Sequence, residues 1–393
     1  MRGLMALMLA LIMVSLAALA QRPDGSSFMK KSAFEDLPAV VMANGKIQLT
    51  ILTHGGAMTS LVLLDDPQQL SPLWNPVRLA REAGQPNNFG GSIGHFVCVD
   101  GFGPTSPEEK AAGLEGHGEA YEQPWDLRRS GKEGSTATLT FSAKLPLVQE
   151  LLTRTLRMVD GESVVYVESE LESQTAFDRP VCWAEHATIG APFLQPGVTA
   201  VDMSAHRAKT RPHDPDPDGG LHYRLASGKD FSWPEAPAID GGKLDMRVSP
   251  ANGGWTDHTT CQMDPARALV FVTALNAEKK MLFGYVFRRE DYPWLQSWEY
   301  YPANGAWARG LEFSTQPFDV PRREAIQMNS LFDTPTYRWL PAKSRIATHF
   351  LMFLTSAPDG MHKVDDVRLE NGRLIVEDHG AGKQVTLAAS LPL

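Results

Sequence analysis

An all-β chain, folded as a large antiparallel β-sandwich, is what this sequence predicts, and three observations carry the prediction. Short runs of alternating or β-branched residues recur along most of the length, bounded by Gly, Pro, Asn or Asp. Helix signals are scarce. Strands do not alternate with long amphipathic segments, which removes a parallel α/β sheet.

The elements follow in order. Lys46 to Leu52 alternates, reaches a turn at Gly55-Gly56, and is followed by the short apolar run Met58 to Leu64, a hairpin signature. Ser106-Pro107-Glu108-Glu109-Lys110-Ala111-Ala112 predicts a short helix, with Ser as N-cap, Pro at the first helical position and acids in the first turn. Thr136 to Phe141, Leu151 to Met158 and Ser163 to Leu171 read as strands, the last two joined by a turn at Asp160-Gly161. Asp214-Pro215-Asp216-Pro217-Asp218-Gly219-Gly220 is expected to be a solvated loop, because its prolines break any cage-like calcium spacing. Ala268 to Leu275, Lys280 to Arg288, Arg345 to Leu354 and Gly372 to Val376 complete the strands. With no repeat and no long linker, residues 21–393 are expected to form one domain, residues 356–393 being a small β tail that closes a sheet edge.

Composition narrows the function. The 393 residues carry 37 Lys+Arg against 46 Asp+Glu, a net charge of −9, which excludes a protein that works by neutralising phosphates, so nucleic acid is not an expected partner. Three cysteines without paired C-x-x-C spacing make neither a disulfide framework nor a zinc site. Cys98 and Cys182 sit in apolar runs and read as buried free thiols. Residues 1–20 read as a cleaved export signal: Arg2 precedes the apolar run Leu4 to Leu16, and Ala18-Leu19-Ala20 has the small-x-small form of a cleavage site. The apolar run falls short of the ~20 residues of a membrane span. The mature chain is therefore expected to be soluble and exported, periplasmic or secreted.

Gly90-Gly91-Ser92-Ile93-Gly94 matches the nucleophile-elbow pattern, but that motif needs a strand before its Ser and a helix after it. Here a polar loop precedes and the strand-like His95-Phe96-Val97-Cys98-Val99 follows, so the match is set aside. Three other segments are informative. Gly116-His117-Gly118 holds a histidine on a tight backbone just ahead of Trp125. Glu185-His186 ends a strand-like run. Glu312 is an isolated carboxylate in an apolar strand, shortly after Trp294, Trp298, Tyr300, Tyr301 and Trp307. Aromatic rings beside a few polar groups suit a sugar, whose apolar faces stack while its hydroxyls are hydrogen-bonded.

At these residues the sequence resembles the aldose 1-epimerase, or galactose mutarotase-like, superfamily, and within it an uncharacterised bacterial DUF4432-like branch. The shared order runs from about Ala43-Asn44-Gly45 to about Pro317: a strand pair ending at His54-Gly55-Gly56-Ala57, Gly94-His95-Phe96, His117-Gly118 before Trp125, Glu185-His186 at a strand end, and Glu312 on a late strand. The resemblance implies a β-supersandwich that opens and recloses an aldose ring at C1 without metal or organic cofactor. It casts Glu312 as the base for the anomeric hydroxyl, His186 as the acid for the ring oxygen and His117 as a second histidine near that oxygen. An ionised Glu and a protonated His in one cleft are expected to favour each other's charge.

The chain departs from the family pattern in two places. Glu185 stands where the familiar mutarotases have Asn, and the arginine that binds sugar hydroxyls is absent from the stretch Asn87 to Gly94. His95, Asp100, and Asp257 or His258 are the substitutes the sequence offers for hydroxyl binding, with Trp298 and Trp307 as stacking rings. The expected partner is a small-molecule sugar or glycan. A carbohydrate-binding protein of the same fold without turnover, or an accessory domain of glycan degradation, is the alternative. Convergence of His117, His186 and Glu312 on one cleft favours the enzyme; a Glu312 locked to Arg309 or Arg288 favours the binding protein.

Overall fold

The computed structural model of the protein describes residues 28–86, 92–213 and 220–393. The export-signal reading lies outside these residues, as do most of the Asp214 to Gly220 loop and the first two glycines of the rejected elbow motif.

Two large antiparallel sheets face each other. The twelve-stranded sheet starts as the meander Met29–Phe34, Leu37–Ala43, Ile47–Leu52 and Met58–Leu63 and continues through His95–Val99 to Trp183–Gly190. The short pair Ala308–Gly310 and Glu312–Ser314 follows, then Trp294–Tyr301, Trp255–Met263, Ala205–Thr210 and Asp230–Ser232. The eight-stranded sheet runs Ala200–Met203, Leu269–Asn276, Met281–Arg288, Arg345–Ser356, Val164–Ser173, Glu150–Val159, Thr136–Leu145 and Asp126–Glu133.

Alternation decides what lies between the sheets. Leu49, Val97, Leu295 and Phe313 from one sheet pack with Leu152, Leu156, Phe350 and Met352 from the other in the main core. Each such side chain contributes on the order of 1.5–3 kcal/mol by leaving water. The predicted strands all form, and the predicted helix forms at Pro107–Ala111, closed by a reciprocal Ser106–Glu109 capping box. The helix Pro76–Glu82 was not predicted, although Asn75 before Pro76 is a cap-and-start signal, and Asn75 accepts from the Arg78 N–H.

The tail differs from expectation. Asp366–Glu370, Arg373–Asp378 and Lys383–Ala388 form a separate three-stranded sheet. Its Leu374 and Val376 cover Tyr166, Phe271, Leu282 and Phe353 on the outer face of the eight-stranded sheet. It therefore covers a face, not an edge. The reason is legible in Met281–Arg288, which is buried along both of its faces except at its last residue and needs cover on each.

Candidate active site

The site lies on the outer face of the twelve-stranded sheet. Along Trp183–Gly190, Trp183, Glu185, Ala187 and Ile189 point into the sandwich, so His186 and Thr188 point out. The neighbouring strand pairs antiparallel with His186 opposite Phe96, which puts both rings on one face, stacked at 4.4 Å between centroids. On the other side, Phe313 enters the core, and Glu312 must take the outer face. Trp298 on the next strand and His258 on the one beyond it are paired residues on that same face.

A loop brings in the third predicted residue. His117 has φ of +67°, and Gly118 after it lies so close to the Val99 carbonyl that an added Cβ would sit 1.9 Å from that oxygen. This contact holds the His117 ring at right angles to His186, 5.2 Å away between centroids. Nδ1 of His117 accepts from the Gly103 N–H at 3.3 Å, so in the neutral ring the proton sits on Nε2. His117, His186 and Glu312 line one cavity of about 280 Å³, together with Trp298, His258 and Asp319.

Glu312 is 2 % exposed, and its Oε1 lies 3.4 Å from His186 Nε2 without finding a well-aligned hydrogen bond. Among the described residues it is not paired with an arginine. Arg309 instead meets Glu299 at 3.2 Å and the carbonyls of Met246 and Arg247, and Arg288 reaches the Leu393 carbonyl. Nδ1 of His186 is 3.2 Å from Thr188 Oγ1.

Electrostatics overturn one expectation. Burial, then the Asp319 charge, pushes the Glu312 carboxyl well above its ordinary range against the opposing effect of Arg211. Burial, then the neighbouring His117, pushes His186 well below its own. Both shifts run against the charged pair and toward a neutral Glu312 beside a neutral His186. The pair still carries one exchangeable proton, with one donor and one acceptor.

Gly310 makes room for this carboxylate: an added Cβ would stand 2.1 Å from Glu312 Oε1. Gly310→Ala is therefore expected to displace a mobile side-chain end rather than the backbone. The thermal midpoint of Gly310→Ala should stay near the parent's, and a large fall in it would show that the added methyl displaces the strand and not the carboxyl end.

No protein-family model matches the chain, and no curated protein matches it by sequence. Solved structures do match. A galactose mutarotase-like protein from Clostridium acetobutylicum superposes with a TM-score of 0.58 at 12% identity, over 84% of this chain and 98% of that one. A galactose mutarotase related enzyme from Lactobacillus acidophilus does so at 0.53 and 12%, over 83% and 99%. A proposed aldose 1-epimerase from Klebsiella pneumoniae gives 0.58 and 11%, over 84% and 83%. This chain has the galactose mutarotase-like fold. The likeness is one of fold, and nothing in it singles out the DUF4432-like branch.

Within this mutarotase-like sheet, five of the predicted residues share the cleft: His117, His186, His258, Glu312 and Trp298. The others do not reach it. His95 points into the core, where it meets Glu185 at 2.8 Å and the Tyr285 hydroxyl at 3.0 Å. Asp100, at a φ of +56°, is buried against Arg179 and, at 3.1 Å, Arg322. Asp257 takes the face opposite His258 and holds Arg224 Nε at 2.6 Å and the Arg224 and Leu225 N–H groups. Trp307 packs on Tyr301 and donates to the Pro302 carbonyl. Each is a correction. His95 and Asp257 miss the cleft for one reason, since neighbours on a strand face opposite ways: the core claimed His95, and Asp257 turned to Arg224 beside a neighbouring cavity. Glu185, the departure from the family's Asn, also faces the core, bonded to Arg154 and the Tyr292 hydroxyl.

Sequence reasoning missed Asp319, Trp74, Phe102 and Arg211. Arg211, downstream of where the family's arginine was sought, grips Asp319 and lies 3.1 Å from His258 Nδ1. Asp319 sits just after a tight Gln316–Phe318 turn and carries no signal of its own. Cys98 and Cys182 are buried free thiols, and the Cys98 Sγ lies 3.5 Å from His117 Nδ1.

Proposed function

We propose that this protein interconverts the anomers of a free aldose by opening and reclosing its ring. The observation that carries the reading is the convergence of Glu312, His186 and His117, from three separate parts of the chain, on one sugar-sized cleft walled by Trp298.

The reaction moves one proton off the anomeric hydroxyl and one onto the ring oxygen. As the C1–O bond to the ring oxygen breaks, C1 becomes a carbonyl; rotation about C1–C2 and reclosure on the other face give the second anomer. Glu312 takes the anomeric proton and His186 delivers one to the ring oxygen, with the His117 Nε2–H as a further donor there. That assignment uses the tautomer in which the shared proton sits on His186, and arriving sugar hydroxyls favour it by solvating the Glu312 carboxylate. Reclosure returns both protons, so the pair ends as it began. Asp319, held by Arg211, and His258 are placed to bond the sugar's other hydroxyls.

Polarimetry or NMR exchange between α and β anomers over a panel of aldoses tests the reading. Acceleration above buffer for at least one sugar is expected; binding without acceleration of any would replace the epimerase by a carbohydrate-binding protein. The reactive pair must carry one proton. With His186 pushed down and Glu312 pushed up, that state spans a wide window. Hence kcat/KM should stay level across neutral pH, falling on the acid side as His186 takes a second proton and on the alkaline side as Glu312 loses the last.

The leader-like start supports export, so the sugar would be met outside the cytoplasm. A mature N-terminus at Gln21, read by mass spectrometry, is the expected result.

A further inference from the structure

The cleft does not end at His258 and Trp298. These two side chains also wall a second cavity of about 260 Å³, on the side away from Glu312. Its lining is aromatic. Tyr300 stacks on Trp298 at 5.6 Å with 22° between the planes, and facing elements contribute Tyr223, itself stacked on His213 at 3.8 Å and 19°. Half-buried rings in parallel pairs give flat apolar surface with polar edges. The lining also holds two charged residues, each already paired: Arg211 with Asp319 and His258, and Asp257 with Arg224 at 2.6 Å, so neither charge calls for a charged ligand. Flat rings with a neutralised cation suit a neutral, flat-faced and hydroxylated ligand.

Size points the same way. The second cavity, at about 260 Å³, nearly matches the sugar-sized cleft of about 280 Å³ and so has room for one further ring. We infer that the two cavities form one extended site with two sugar subsites, and that the preferred substrate is an oligosaccharide with a free reducing end. The reducing-end ring lies beside Glu312 and His186, and the next ring, linked through a hydroxyl other than that at C1, lies against Trp298, Tyr300 and Tyr223. The placement of the reducing end rests on the anomer-exchange reading; the existence of the second subsite does not.

Calorimetric binding of glucose against maltose and cellobiose, galactose against lactose, and N-acetylglucosamine against its β-1,4 dimer, to the full wild-type chain, tests the inference. At least one disaccharide should bind about tenfold more tightly than its reducing-end monosaccharide. That ratio should collapse toward one in Tyr223→Ala and in Tyr223→Leu, the second variant keeping bulk without a ring face. No disaccharide advantage in the wild type, or an advantage that survives both substitutions, overturns the second subsite. Anomer exchange on the same sugars separates the two readings. A tyrosine-dependent advantage without exchange leaves the subsite and removes the epimerase; exchange on monosaccharides without an advantage does the reverse.

Discussion

Glu312→Gln is expected to slow anomer exchange by about 10³-fold, within the 10²–10⁴ range of a positioned general acid or base, while sugar binding changes only a few-fold. Glutamine keeps the shape and the hydrogen-bonding edge of the carboxyl but can neither accept the anomeric proton nor pass one to His186. Among the described residues no arginine holds Glu312 Oε1, so the exchange breaks no arginine pair and alters only the contact with His186. NMR exchange and calorimetry on the same preparation separate the two effects. A loss smaller than about tenfold would remove Glu312 from the chemistry.

The same substitution has a signature in stability. Burial lifts the folded-state pKa of Glu312 above its unfolded value. Between those two values the folded protein binds more protons than the unfolded one, so this group lowers stability as pH rises through the window. Glutamine has no such dependence. The thermal midpoint of Glu312→Gln relative to the parent should therefore climb with pH from the ordinary carboxylate range upward, and a difference independent of pH would contradict the burial argument.

Arg154→Leu should be the most destabilising of the substitutions considered, by about 3–5 kcal/mol, the cost of breaking a buried ion pair from one side. Arg154 is 1 % exposed and Glu185 0 %, and they meet at 2.6 Å between the two sheets. Burial alone would raise the Glu185 carboxyl; the Arg154 charge and then the His95 bond reverse this and hold it below its usual range. Leucine leaves that carboxylate to His95 and Tyr292 alone. Glu185 can then escape only by protonation, so the deficit should shrink as pH falls and grow as it rises through the carboxylate range. Chemical denaturation at several pH values checks this. Adding Glu185→Gln should recover part of the loss, because the stranded charge goes with it. Since Glu185 and His186 are adjacent, activity in Arg154→Leu should fall even where the protein remains folded.

Much of the architecture was legible because strand signals are local. The runs from Ile47 to Leu354 announce themselves by alternation, and the helix at Pro107 by its cap. Three catalytic candidates and a stacking ring were legible through residue type: a histidine between glycines, a Glu-His pair at a strand end, an isolated carboxylate in an apolar strand, and Trp298 in an aromatic run. The failures have a common form. His95 was chosen although its side chain enters the core while Phe96 beside it takes the outer face against His186, and Asp257 stood beside His258 as an equal choice although only His258 faces the cleft. Asp319 and Arg211 were missed outright, because their proximity depends on two distant segments meeting at the sheet's outer face.

By itself the sequence determined that the chain is all-β, that neighbouring residues on each strand go to opposite faces, and that an acid and two histidines would be available for proton transfer. Those properties follow from local periodicity and side-chain chemistry. Tertiary structure alone decided which face was buried, since alternation has a period of two and no preferred phase until the second sheet packs on one side. That packing sent Glu185 and His95 inward as a buried network and left His186, Glu312 and Trp298 outside, facing one another. It also biases protonation, because the depth at which Glu312 and His186 lie works against the charged pair that residue types alone suggest.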